Sequence, residues 1–129
     1  MKYLLDTHVF LWMALASQRL SPHARATIED TANALFFSAA SAWEIGIKTR
    51  LGKLTLPGDA IVYVPARIAA FGLTELPISV AHSLGVERLP AHHEDPFDRL
   101  LVAQAQIEGL TIITADPAFS AYPVRLLRA

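Results

Sequence analysis

The sequence predicts an α/β fold, a parallel sheet of four or five strands covered by helices on both faces, and three observations carry that expectation. Short apolar runs rich in β-forming residues recur along the chain, segments with helical periodicity separate them, and helix start and stop signals fall at the junctions. Strands separated by helices join in parallel through right-handed crossovers, which leaves helices on both faces and gives three α/β/α layers. Residues 1–129 read as a single domain, with no repeat, linker or low-complexity segment. A chain of this length buries roughly two thirds of the surface its unfolded form exposes, enough for a core without staples.

The elements follow in order. Tyr3-Leu4-Leu5 is the first strand, followed by helices over 9–16 and 22–32, the second opened by Pro22 behind a capping Ser21. Ala34-Leu35-Phe36-Phe37 is the second strand, and a helix over 41–51 follows it. The stretch 54–59, with Pro57-Gly58, reads as a loop before a helix over 61–71. Leu73-Thr74-Glu75-Leu76 is the third strand, followed by helices over 79–86 and 96–108. Pro96 sits one residue after Asp95 at the start of the last helix, and Gly109 supplies the left-handed stop at its end. Thr111-Ile112-Ile113-Thr114 is the fourth strand, and a weaker run, Val124-Arg125-Leu126-Leu127, is the fifth. Trp12, Trp43, Phe36, Phe37 and Phe97 are spaced as core or interface residues rather than as a platform for stacking bases.

Composition narrows the chemistry. Apolar residues make up 53% of the chain and charged residues 18%, a globular balance far from that of disordered chains. There is no cysteine, so disulfides and thiolate metal sites are excluded and any metal must be held by oxygen or imidazole. That composition suits a reducing cytoplasm. Asp6 and His8 interrupt the apolar start of the chain, so neither an export signal nor a membrane span is expected. The net charge of -1, from 11 basic and 12 acidic residues, provides no general basic field. Nucleic-acid binding would have to rest on local patches or on metal.

The topology then places the acids. In right-handed β-α-β units the C-terminal ends of strands and the N-terminal ends of helices share one edge of the sheet, where α/β proteins bind ligands. Asp6 ends the first strand, Glu44 lies early in the helix after the second, Asp98 is in the first turn of the helix feeding the fourth, and Asp116 follows the fourth. Glu29, Asp30, Glu75, Glu87 and Glu108 fall elsewhere. Four carboxylates at one edge repel one another unless cations neutralise them. Oxygen donors without thiols suit Mg²⁺ or Mn²⁺, ions that clamp a phosphate and generate a nucleophile for in-line displacement, the chemistry of phosphodiester hydrolysis.

Each acid has a purely structural alternative. Asp95 reads as the cap of its helix, which leaves Asp98 without a capping duty, and Asp116 before Pro117 fits either a cap or a site. Ser41-Ala42-Trp43-Glu44 matches a capping box, with Lys48 four residues on as an ion-pair partner for Glu44. Asp6 could cap the first helix.

In order and spacing, Leu4-Leu5-Asp6-Thr7-His8, Ser41-Ala42-Trp43-Glu44-Ile45, the run from Asp95-Pro96-Phe97-Asp98-Arg99 to Ala105, and Thr114-Ala115-Asp116 resemble the PIN domains of VapC-type toxins. The resemblance covers almost the whole chain, with Asp-Pro-Phe-Asp-Arg-Leu-Leu its most distinctive stretch. It implies a PIN-like parallel sheet and an endoribonuclease of a toxin-antitoxin pair in which Asp6, Glu44, Asp98 and Asp116 coordinate Mg²⁺ or Mn²⁺. RNA would be cut to leave a 3′ hydroxyl and a 5′ phosphate. Thr114 matches a supporting hydroxyl position. The resemblance also implies a homodimer and a VapB-like antitoxin that covers the acidic cleft.

Within that expectation Asp6 and Asp98 take the central metal role and Glu44 and Asp116 complete the shell. No separate base is required. Lys48, Arg50, Lys53 and Arg99 are the local cations available to the RNA backbone, or simply solvated helix residues. His8 reads as a polar surface residue, and His92-His93 could be drawn as a metal cluster only if adjacent side chains converged, contrary to their geometry. A phosphoacceptor receiver domain would need paired acids after the first strand, an acceptor after the third and a late lysine. The run Leu76-Pro77-Ile78 has no acceptor. A haloacid-type phosphatase would need an acid where His8 stands, and a non-catalytic binding module leaves the gathering of acids unexplained.

Overall fold

All five expected strands form, and they pair in parallel in the order β3-β2-β1-β4-β5. The structure is a computed structural model that describes residues 1–91 and 94–129. Its strands are β1 (Lys2–Leu5), β2 (Ala34–Ser38), β3 (Thr74–Leu76), β4 (Thr111–Thr114) and β5 (Leu126–Arg128). Among the described residues six α-helices accompany them: α1 (Thr7–Leu15), α2 (Pro22–Glu29), α3 (Ala39–Arg50), α4 (Ala60–Ala70), α5 (Val80–Val86) and α6 (Pro96–Glu108). Two short 3₁₀ turns, Ser17–Arg19 and Pro117–Ala121, complete the elements of the described residues. Among the described residues, no helix is long and apolar enough to cross a membrane.

Strand alternation builds two cores. Tyr3 and Leu5 face one side with Ile113, against Val9 and Phe10 of α1, Ile45 of α3 and Val64 and Ile68 of α4. Leu4 and Ile112 face the other, against Leu101, Val102 and Ala105 of α6 and Phe119 and Tyr122. A central strand buried on both faces must be apolar at consecutive positions, which is why the first and fourth strands were such continuous runs. Phe10 and Phe37 meet with ring centroids 4.4 Å apart and lock α1 onto the sheet.

Helix ends follow side-chain chemistry. Ser21 accepts from the Ala24 N–H and Pro22 opens α2, while Gly109 adopts φ +69° after α6, a conformation that costs glycine nothing. One cap differs from expectation. Ser38, at the end of β2, caps α3 by accepting from the Ala40 N–H, so the helix starts earlier and Ser41 lies inside it. Ser41-x-x-Glu44 is therefore not a capping box. A true box joins Ser79 and His82 at the start of α5.

The strand order fixes where a site can be. From β1 the chain proceeds outward to β2 and β3 on one side, then returns to place β4 and β5 on the other. The crevice beyond the C-terminal ends of β1 and β4 is thus the topological switch point of the sheet. The Asp6 N–H continues the ladder there, donating to the Ile113 carbonyl at 3.0 Å.

Candidate active site

Asp6 stands at that switch point, immediately after β1, and its carboxylate does not cap α1. Its Oδ2 instead accepts the Thr114 hydroxyl at 2.8 Å across the β1–β4 pair. The Thr114 Oγ1 in turn accepts the Asp116 N–H at 3.0 Å, so one buried hydroxyl ties the first acid to the backbone of the last. Burial pushes the Asp6 carboxyl above the usual aspartate range and the nearby Glu44 charge adds to the rise, against the Thr114 bond and the His8 charge, which lower it. Such a carboxyl stays ionised more readily once a cation arrives.

Glu44 lies in the second turn of α3, buried, with both oxygens engaged. Oε1 accepts the Thr7 hydroxyl at 2.7 Å, and Oε2 meets Lys48 Nζ at 2.8 Å. The hydroxyls of Thr7 and Ser41 are 2.8 Å apart and also buried. Since the carboxylate can only accept, proton direction runs from Ser41 through Thr7 to Glu44. Lys48 is held above its ordinary range first by its bond to Glu44, with the Asp95 and Asp98 charges contributing. Those charges bring the start of α6 into the same field.

Asp95 caps α6 through the N–H groups of Phe97 and Asp98, as its sequence position suggested, and Asp98 sits buried in the first helical turn behind it. Asp116 accepts the Ala118 N–H at 2.9 Å and caps the following 3₁₀ turn, so its carboxylate has a structural duty as well. The structure therefore joins Asp6 to Glu44 by field and to Asp116 through Thr114, and brings Asp98 near Lys48. Among the described residues no three aspartate, glutamate or histidine side chains converge closely enough to hold one ion as they stand.

Two other expectations change. Arg99 turns its guanidinium to the carbonyls of Pro90 and Val86, at 3.0 and 3.1 Å, and closes the end of α5. Trp43 is 64% exposed, with its ring edge-on to Phe97 at 5.4 Å between centroids, so of the two expected roles, core or interface, Trp43 does not take the core one. The His92-His93 pair lies outside the described residues. An apolar groove of about 730 Å³ runs between α3 and α4, lined by Ala42, Gly46, Val64 and Pro65, on the helix face away from Glu44.

Sequence spacing offered no sign of the Thr7–Ser41–Glu44 chain, whose members come from α1 and α3. Only the parallel pairing of β1 and β2 brings those helix starts side by side.

Comparison with known proteins bears on the fold and the family. The ribonuclease VapC16 of Mycobacterium tuberculosis is 46% identical over 59 residues, 46% of this chain and 42% of that protein. The match thus spans less than half the length of that relative. A DNA-bound VapBC complex from Salmonella typhimurium contains a chain that superposes with a TM-score of 0.76 at 18% identity, covering 99% of this chain and 98% of the other. VapBC2 from Rickettsia felis, bound to a promoter DNA fragment, gives a TM-score of 0.72 at 16% identity over the same shares. At those identities the likeness speaks for the fold. The PIN domain model matches residues 3–124, from the first strand to just before the last, and the chain belongs to the PIN domain family.

Proposed function

We propose that the chain is a metal-dependent endoribonuclease, the toxin of a toxin-antitoxin pair, with Asp6, Glu44, Asp98 and Asp116 as its acidic residues and Mg²⁺ or Mn²⁺ as its ion. The observation that carries this reading is the Thr114 hydroxyl bonded to Asp6 and to the Asp116 backbone at the switch point of the sheet. A carboxyl this buried, raised further by a second acid, is costly to keep unless a cation is part of the design.

The donor chemistry fits a hard divalent ion, since the four acids and the Thr7, Ser41 and Thr114 hydroxyls that hold them offer only oxygen. When bound, such an ion would supply positive charge against the scissile phosphate and acidify the attacking water. The chain's own part is orientation. Thr114 turns Asp6, Thr7 and Ser41 turn Glu44, and the Asp95 cap fixes the helical turn that carries Asp98.

RNA as substrate and a VapB-like antitoxin as partner are supported by the ribonuclease relative and the VapBC complexes. A homodimer and a cytoplasmic setting complete the proposal. The test is cleavage of a 5′-labelled RNA pool by purified protein with Mg²⁺ or Mn²⁺, with EDTA, and by Asp98→Asn. Metal-dependent cutting that disappears in EDTA and in the variant is expected. No cutting by folded, partner-free protein would overturn the nuclease and favour a non-catalytic binding module.

A further inference from the structure

The two oxygens of Glu44 are held in different ways. Oε1 is fixed from beneath by Thr7, itself backed by Ser41, and all three residues are buried. Oε2 is held by Lys48, one helical turn on, whose side chain is 38% exposed while that of Glu44 is 5% exposed. The first restraint is part of the packed interior. The second is a flexible four-carbon stem with a compact charge at its tip, able to swing into solvent without disturbing any core residue. An i,i+4 pair on an ordinary helix face has both ends in water and contributes little. Here the acid is buried beside Asp6, and the ammonium is also drawn by Asp95 and Asp98. Lys48 thus stands against the oxygen that Glu44 would offer to an ion.

We propose that Lys48 is a resident counter-ion, which neutralises Glu44 while the site is empty and competes with the divalent ion for Glu44 Oε2, so that metal loading exchanges one cation for the other. The inference rests on the metal site proposed above. It assigns Lys48 a positioning role and gives the buried Glu44 carboxylate a cation of its own. Once released, the ammonium lies one turn beyond Glu44 and is free to meet a substrate phosphate.

Titration calorimetry of Mn²⁺ into the full chain, metal-free and at neutral pH, tests it with three proteins. Lys48→Met keeps the stem and removes the competitor, and it binds Mn²⁺ roughly ten-fold tighter than wild type. Lys48→Arg places a permanent, planar charge that grips a carboxylate at two points, and it binds Mn²⁺ several-fold weaker. The opposite directions are the signature. Thermal unfolding in EDTA adds a second readout: Lys48→Met melts below wild type, and saturating Mn²⁺ closes the gap. Should Lys48→Met fail to fold, the Lys48→Arg arm still decides. Wild type that binds Mn²⁺ while both variants match it, or both weaken, overturns the counter-ion and leaves the metal site standing. Wild type that binds no Mn²⁺ overturns the metal site, and the counter-ion with it.

Discussion

Two glutamates in this fold each meet a basic side chain at 2.8 Å, with their burial reversed. At the switch point the acid is inside and the base outside, Glu44 at 5% exposure and Lys48 at 38%. Behind α5 the base is inside and the acid outside, His82 at 2% and Glu108 at 43%. A buried imidazole has a neutral form with one donor and one acceptor, and the structure uses both. Nδ1 accepts the Ser79 N–H at 3.0 Å, which directs the Nε2 proton to Glu108. Gln104 closes the arrangement, bonded to the Ser38 hydroxyl and the Pro77 carbonyl. In that network each buried polar group has a partner, and its one acid, Glu108, stands in solvent. The Glu44 region has no such resolution, because a second buried acid stands beside the first. Satisfied polarity marks architecture, while charge concentrated beyond what neutral donors can absorb marks a place that expects a ligand.

The contrast can be broken by experiment, and the largest effect comes from Asp6. Asp6→Asn keeps an acceptor for the Thr114 hydroxyl and removes the charge, so RNA cleavage falls on the order of 10³-fold while the fold survives. The same variant gains stability without metal. Because the folded protein holds the Asp6 proton more readily than the unfolded chain, wild type loses stability from this group as pH rises above the ordinary aspartate value of 3.8. In EDTA the two proteins melt together at acid pH, and the variant melts a few degrees higher, about 3 °C, at neutrality. Equal melting at both pH values would place the two regions in one class.

Gln104→Leu probes the other region. It strands the Pro77 carbonyl and removes the acceptor of the Ser38 hydroxyl, costing about 2 kcal/mol in chemical denaturation. Mn²⁺ affinity measured on the same protein stays at the wild-type value. A parallel loss of affinity would show that the architectural network reaches the site through the Ser38 cap of α3. The smallest effect is expected from Thr7→Val, which leaves Glu44 Oε1 without its donor. It costs about 1 kcal/mol by the same assay, and RNA cleavage falls several-fold with the RNA concentration at half-maximal rate unchanged.

Why the fold was so legible follows from the same contrast. Strands buried on both faces must be written as continuous apolar runs, and serine, proline and glycine mark helix ends by local chemistry that needs no tertiary context. The edge position of Asp6, Glu44, Asp98 and Asp116 followed from that topology. What stayed hidden depended on contacts between distant elements. Ser38 and Ser41 are both plausible caps by local pattern, and only the extension of β2 through Ser38 decides between them. Thr7 carries no local sign that its hydroxyl meets Glu44, 37 residues away. Trp43 follows an apolar spacing like that of core residues, yet it stands beside Phe97 on the outside because α3 presents another face to the sheet. Arg99 looked available for phosphate, and the carbonyls that take it belong to a helix end elsewhere in the chain.

The bond between Thr114 and Asp6 spans 108 residues of sequence, and the parallel pairing of β1 with β4 that supports it is equally non-local. A ribosome delivers those residues in order, so a nascent chain that has completed β1, β2 and β3 still has Asp6 with neither Thr114 nor Asp116 opposite it. Long-range pairings of this kind also form late because their loop closure is entropically costly. The growing protein therefore carries its first acid for nearly the whole of synthesis without a site around it. The crevice at this edge is completed only after β4 has emerged and docked beside β1.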